Sequence, residues 1–167
     1  MTKILMVCMG NICRSPMAQI VAQQMAQADN GKAGPGGPLS FASAGTHAHH
    51  IGEQPDARAI AALTRRGYRS SKIKSRRITA DDFSKFDLIL AMDDSNVQAL
   101  SRLCPAEHKH KIRLLLDYAG GIADKEVPDP YYGNAAGFER VLDLCEAGAR
   151  GLIGQLQRAA PQRPQTL

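Results

Sequence analysis

The sequence has no tryptophan, and aromatic residues make up only 5% of it. The stacking surfaces that hold single-stranded nucleic acid are therefore scarce, and no nucleic-acid partner is expected. No apolar run approaches the roughly 20 residues that cross a bilayer, and Ile4 to Met9 is too short for the apolar stretch of a secretory signal. No membrane association is expected, and the expected site of action is the cytoplasm. Cysteine is sparse as well: Cys8, Cys13, Cys104 and Cys145 form no CxxC pair and no regular spacing, which argues for reduced thiols and against a disulfide framework or a zinc site. Charge of one sign is only mildly in excess, with 21 Lys+Arg against 16 Asp+Glu giving +5. The basic residues gather only between Arg65 and Arg77, read as a solvated loop face or as an electrostatic funnel for anions.

What is present is an ordinary globular composition. With 167 residues, 44% of them hydrophobic, the chain is long enough to bury one core without metal or disulfide. Residues 1–158 are read as one domain and 159–167, with two prolines and no periodicity, as a flexible tail. The apolar run Ile4 to Cys8 predicts a strand, followed by Gly10 and by a helix with Met17, Val21, Met25 and Ala28 on one face. Gly31 to Pro38 predicts an irregular, mobile connection, and Leu39 to Ala44 a second strand.

A helix is expected over Asp56 to Arg66, with Ala57, Ile60 and Leu63 inward, and Thr79 with Asp82 resembles a capping box opening a short one. Asp87 to Met92 predicts a strand covered on both faces, Asp94 to Leu103 a helix and Lys111 to Leu116 a fourth strand. Apolar residues from Phe138 to Leu156 keep helical spacing through Val141, Leu142, Cys145, Ala149, Leu152 and Ile153. The alternation implies an α/β fold: a single-domain, doubly wound, four-stranded parallel sheet with helices on both faces. Ligands of such sheets sit beyond the carboxyl ends of the strands, so a site is expected from Cys8–Ser15, Ser43–Thr46, Met92–Asn96 and the loop Asp117–Gly133.

The first of these segments, Cys8-Met9-Gly10-Asn11-Ile12-Cys13-Arg14-Ser15, puts a thiol at a strand end and an arginine at a helix start. Loop and helix N–H groups converge there on an anion, and a guanidinium adds a bidentate clamp, so an anion-binding loop is expected between the first strand and first helix. A field of that kind favours thiolate over thiol, which makes Cys8 the expected nucleophile. In the last segment, Val127-Pro128-Asp129-Pro130-Tyr131-Tyr132-Gly133, two prolines stiffen a loop that carries an acid and two aromatics. Asp129 is a candidate general acid, although Asp-Pro also starts ordinary turns.

Taken together with Ser43-Ala44-Gly45-Thr46 and Met92-Asp93-Asp94-Ser95-Asn96, these segments resemble the low-molecular-weight protein tyrosine phosphatases, bacterial type, in order and over nearly the whole chain. The resemblance implies hydrolysis of phosphotyrosine through a cysteinyl-phosphate: Cys8 attacks phosphorus, Arg14 and the loop amides hold its oxygens, and Asp129 serves as general acid and then base. It implies no metal and no other cofactor. It places Met9, Gly10, Asn11, Ile12, Cys13, Ser15, His49, Tyr131 and Tyr132 at the substrate, with Ser43 and Asp93 supporting the loop. Asn11 and Ser43 would hold the loop in shape, Ser15 would help the thiolate leave, and the tyrosines would flank a phosphotyrosine ring. Cys13 matches a cysteine that forms a reversible disulfide with the nucleophile, and reads equally well as a packed small residue. The implied partners are phosphotyrosine proteins, a bacterial tyrosine kinase among them, with the chain itself a monomer or weak dimer.

The sequence departs from the family where many bacterial members have tryptophan after the Ser-Ala-Gly-Thr turn. Here Thr46-His47-Ala48-His49-His50 follows, with His49 at that position, and these are read as loop histidines rather than a metal site. Thiol-dependent arsenate reduction on the same fold would need extra cysteines near the loop after the third strand, and none lies between Cys13 and Cys104. A phospho-ligand binding module would need Arg14 but neither Cys8 nor Asp129. Protein-arginine phosphatases carry Thr where Ile12 stands, which favours phosphotyrosine.

Overall fold

The structure, a computed structural model, describes residues 1–29 and 37–158. Most of the Gly31 to Pro38 connection and all of the 159–167 tail lie outside these residues.

Four strands form one parallel sheet: β1 (Thr2–Cys8), β2 (Leu39–Gly45), β3 (Leu88–Ala91) and β4 (Ile112–Leu114), in the order β2-β1-β3-β4. The continuous apolar run of β1 follows from its central place. Ile4, Met6 and Cys8 enter the core on one face, Leu5 and Val7 the core on the other, and all five are buried. On the first face pack α1 (Arg14–Ala28), α2 (Ala57–Arg65) and α5 (Ala135–Arg158), and against the second lie α3 (Ala80–Lys85) and α4 (Asp94–Leu103). The chain leaves β1 for β2 on one side and later adds β3 on the other, so the β1–α1 loop sits where the sheet order reverses, the usual ligand crevice of such folds.

The expected fold class holds, with local corrections. β4 is only Ile112–Leu114, and Leu115–Tyr118 winds into a 3-10 turn because Leu115 and Leu116 pack against α5 instead of extending the sheet. Ala28 and Ala57 are exposed, since the inward face of α2 is Ala59, Ala62 and Leu63, while α1 is buried on all sides through its first two turns. Cys104 caps the C-terminal end of α4.

The basic stretch does not act as one funnel. Arg65 pairs with Glu139, and Arg66 reaches Glu139, Asp143 and Glu146 on α5. Arg76 grips Asp82 with two hydrogen bonds, at 2.9 and 3.0 Å, while the same carboxylate accepts from the Thr79 backbone N–H at the start of α3. These arginines fasten helices together, and Lys72, Lys74 and Arg77 remain exposed.

Candidate active site

Beyond Cys8 the chain turns sharply through Asn11, which takes φ 57°, a left-handed conformation that asparagine tolerates better than most residues. The turn aims the Asn11 N–H at Cys8 Sγ, 3.3 Å away, and the Ser15 hydroxyl lies 3.0 Å from the same sulfur. Asn11 is itself held from both ends: its Nδ2 donates to Ser15 Oγ at 2.9 Å, and its Oδ1 accepts from the Arg76 backbone N–H at 3.0 Å. No side chain caps the start of α1, so its leading N–H groups stay available to an anion.

Arg14 opens α1 and is almost wholly buried, yet it is well partnered. Its Nη1 donates to Asp93 Oδ2 at 2.6 Å and to the Val127 carbonyl at 3.0 Å, and its Nη2 lies 3.6 Å from Asp129 Oδ2. Burial disfavours the guanidinium charge, but Cys8, Asp93 and Asp129 more than offset it, so the arginine is held charged, its pKa raised. Asp93 can reach Arg14 because it caps α4, where its Oδ1 accepts from the Asn96 N–H at 2.8 Å. Val127 is pinned to the end of β3 by its N–H bond to the Met92 carbonyl at 2.8 Å, which fixes the start of the Asp129 loop.

The groups line one open cleft of about 510 Å³, counted out to solvent. Its floor is Cys8 to Arg14 without Asn11, and its walls are His49, His50, Asp129, Tyr131 and Tyr132. Ten of the expected site residues thus meet in one place. Asn11, Ser15 and Asp93 stand behind the floor as supports. The Ser43 hydroxyl donates not to the loop but to Gln19 Oε1 at 2.7 Å, tying β2 to α1. Burial, with help from the charges of Asp56, Cys8 and Asp129, pushes the Cys13 thiol up to about 12, so it stays a neutral thiol in the cleft floor. Tyr132 is 94% exposed and meets Tyr131 edge-to-face at 4.9 Å.

Several contributors escape a reading of the sequence. His50 packs its ring against Gly10, with its Nδ1 2.8 Å from Glu53 and its centroid 6.0 Å from Tyr131. Only its adjacency to His49 hinted at it. Ser75 donates to the Gly10 carbonyl at 2.8 Å, and neither it nor Arg76 carries a local signal, hidden as both are in the basic stretch. The other two cysteines stand away from the cleft lining: Cys145 is fully buried in α5, its thiol pushed up to about 12 by burial, and Cys104 closes α4.

Residues 3–162 match the family described as low molecular weight phosphotyrosine protein phosphatase. The chain belongs to that family. Among its relatives, the low molecular weight protein-tyrosine-phosphatase of Streptomyces coelicolor is 39% identical over 96% of this chain and 97% of its own length. The low molecular weight protein-tyrosine-phosphatase YfkJ of Bacillus subtilis is 36% identical over 95% and 97%. The crystal structure of a protein tyrosine phosphatase from Entamoeba histolytica superposes with TM-score 0.87 at 40% identity, over 94% of this chain and 97% of that one. By family, then, this is a protein-tyrosine phosphatase, and the resemblance read from four sequence segments holds across the chain.

Proposed function

We propose that the protein hydrolyses phosphotyrosine in proteins, and small aryl phosphates, with Cys8 as nucleophile, Arg14 and the loop amides as the phosphate clamp and Asp129 as general acid and base. The observation that carries this reading is the convergence of a thiol, a buried guanidinium and a carboxylate on one cleft, with Asn11 N–H and Ser15 Oγ both at the sulfur.

In the first step the Cys8 thiolate attacks phosphorus, the bond to the phenolic oxygen breaks, and protonated Asp129 gives its proton to that oxygen. Arg14 and the amides bear the charge on the equatorial oxygens, the role that metal ions play in kinases. In the second step Asp129 takes a proton from water, the water oxygen bonds to phosphorus, and the S–P bond breaks to return the thiolate, which the Ser15 hydroxyl stabilises. A phosphate at the loop competes with Asp129 for Arg14, which frees the carboxylate to face the leaving group. Tyr131, Tyr132 and His49 are read as walls for the phenyl ring. The nucleophile needs a reducing compartment, which fits action in the cytoplasm on phosphotyrosine proteins, with a tyrosine kinase as a candidate partner.

The test is hydrolysis of p-nitrophenyl phosphate, with chelator and reductant present, by wild type and Cys8→Ser. Vanadate-sensitive turnover that disappears in the variant, while the variant still binds inorganic phosphate, is the expected result. Folded, reduced wild type without turnover would overturn the assignment.

A further inference from the structure

We propose that Arg58 is a positioning residue that couples the phosphate loop to the Asp129 loop, and thereby sets how the acid meets the leaving group. The inference rests on the phosphatase reading and extends it to a residue outside the cleft lining. It begins at the phosphate loop, where the Ile12 carbonyl accepts from the Asp56 backbone N–H at 2.8 Å. Asp56 is the residue that caps α2, and its carboxylate accepts from the Arg58 backbone N–H at 2.8 Å, from Nε at 3.0 Å and from Nη2 at 2.9 Å. Two bonds from the guanidinium to one carboxylate, which the Arg58 backbone N–H also holds, leave its plane little freedom.

That plane lies against two aromatic rings. The guanidinium carbon lies 4.8 Å from the ring centre of Phe138, buried in α5, and 5.5 Å from that of Tyr131, both inside the range of cation–π attraction. Tyr131 in turn donates its backbone N–H to Asp129 Oδ1 at 3.1 Å. A continuous set of contacts thus runs from Ile12 through Asp56, Arg58 and Tyr131 to the acid. His50 also lies against the Tyr131 ring, 6.0 Å away between centroids, and packs on Gly10, so the ring meets two groups that are each anchored to the phosphate loop. The other ties of the acid loop, Val127 to Met92 and Arg14 to Asp129, act at its start and at the carboxylate. Arg58, together with His50, holds the wall that follows the acid. Lysine cannot substitute, because a point ammonium keeps neither the fork onto Asp56 nor the flat face between the rings.

The experiment compares wild type, Arg58→Met and Arg58→Lys on a series of aryl phosphates from p-nitrophenyl to phenyl, with inorganic phosphate as inhibitor. Methionine keeps an apolar stem over Phe138, which guards against loss of the fold. The expected result is a phosphate inhibition constant within about twofold of wild type, near-normal kcat/KM for p-nitrophenyl phosphate, and about tenfold lower kcat/KM for phenyl phosphate, part of the ~10²–10⁴-fold a general acid supplies. Both variants should show it. A loss equal across leaving groups, a loss that tracks weakened phosphate binding, or no loss would each overturn the role of Arg58 while leaving the phosphatase reading intact. Wild type inert on the whole series would instead overturn that reading, and this inference with it.

Discussion

Asp129 is the one member of the proposed chemistry that solvent reaches freely, and its position depends on backbone more than on side-chain packing. Prolines on both sides stiffen the loop, Val127 anchors its start, and the Tyr131 N–H orients the carboxylate. Asp129→Asn keeps the shape and removes the transferable proton. Its kcat/KM should fall by about 10²–10⁴-fold for phenyl phosphate and much less for p-nitrophenyl phosphate, as general acid catalysis requires. A steady-state series over leaving groups checks this, and a uniform loss would remove the acid role. At this scale the sequence was most readable. Cys8 ends β1 and Arg14 opens the helix after it, places that periodicity locates, and Asp129 stands in the long loop after β4 between two prolines, whereas nothing local shows that the Ser43 hydroxyl faces Gln19.

At the scale of elements, the phosphate loop keeps its form because β2 ends against it. Gly45 stands opposite Cys8 in the parallel register, and a Cβ built there would lie 2.7 Å from the Met9 carbonyl oxygen and 3.2 Å from the Asn11 nitrogen. Both are backbone atoms of the loop and cannot rotate away. Gly45→Ala should therefore cost about 1–3 kcal/mol of stability and weaken phosphate binding together with turnover. Gly120→Ala, with no neighbour within 4 Å of its added Cβ, should change neither. Urea unfolding and phosphate inhibition of the two variants measure the difference. The Ser-Ala-Gly-Thr segment was visible in the sequence, but the demand for glycine arises only when two strands distant in sequence come side by side.

At the scale of the whole molecule, ionised groups fasten the helices around the sheet, and stability should depend on pH at both ends. Hydrogen bonds from Arg58 hold the Asp56 carboxyl below its ordinary value, and those from Arg65 and Arg66 do the same for Glu139. Burial would raise Asp82, but Arg76 and the Thr79 N–H outweigh it and its pKa too is lowered. A lowered folded pKa means stabilisation fully present above the unfolded carboxyl value of about 4 and lost as pH falls through the folded values. Glu139 contributes least, being the most exposed of the three. Cys13 and Cys145, raised by burial to about 12, act in the opposite sense: their stabilisation is complete below the free thiol value of about 8.5 and is lost as pH rises toward 12. The urea midpoint should form a plateau between about pH 5 and 8 and decline on both sides. A midpoint unchanged from pH 5 to pH 2 would contradict the ion-pair account.

The sequence by itself determined the fold class, the loop that follows β1 and the candidates for thiol, guanidinium and acid. Those follow from local rules: apolar runs, turn residues, and the short reach of a loop between a strand and its helix. The resemblance had named supports such as Asp93, but only the tertiary structure decided which partners they meet. Asp93 meets Arg14 across 79 positions of sequence, and Ser75 meets Gly10 across 65. Arg66 spends its charge on α5 and not on an incoming anion. Such partnerships are set by how helices and strands pack, and one-dimensional spacing carries no record of which side chains that packing brings within hydrogen-bond distance.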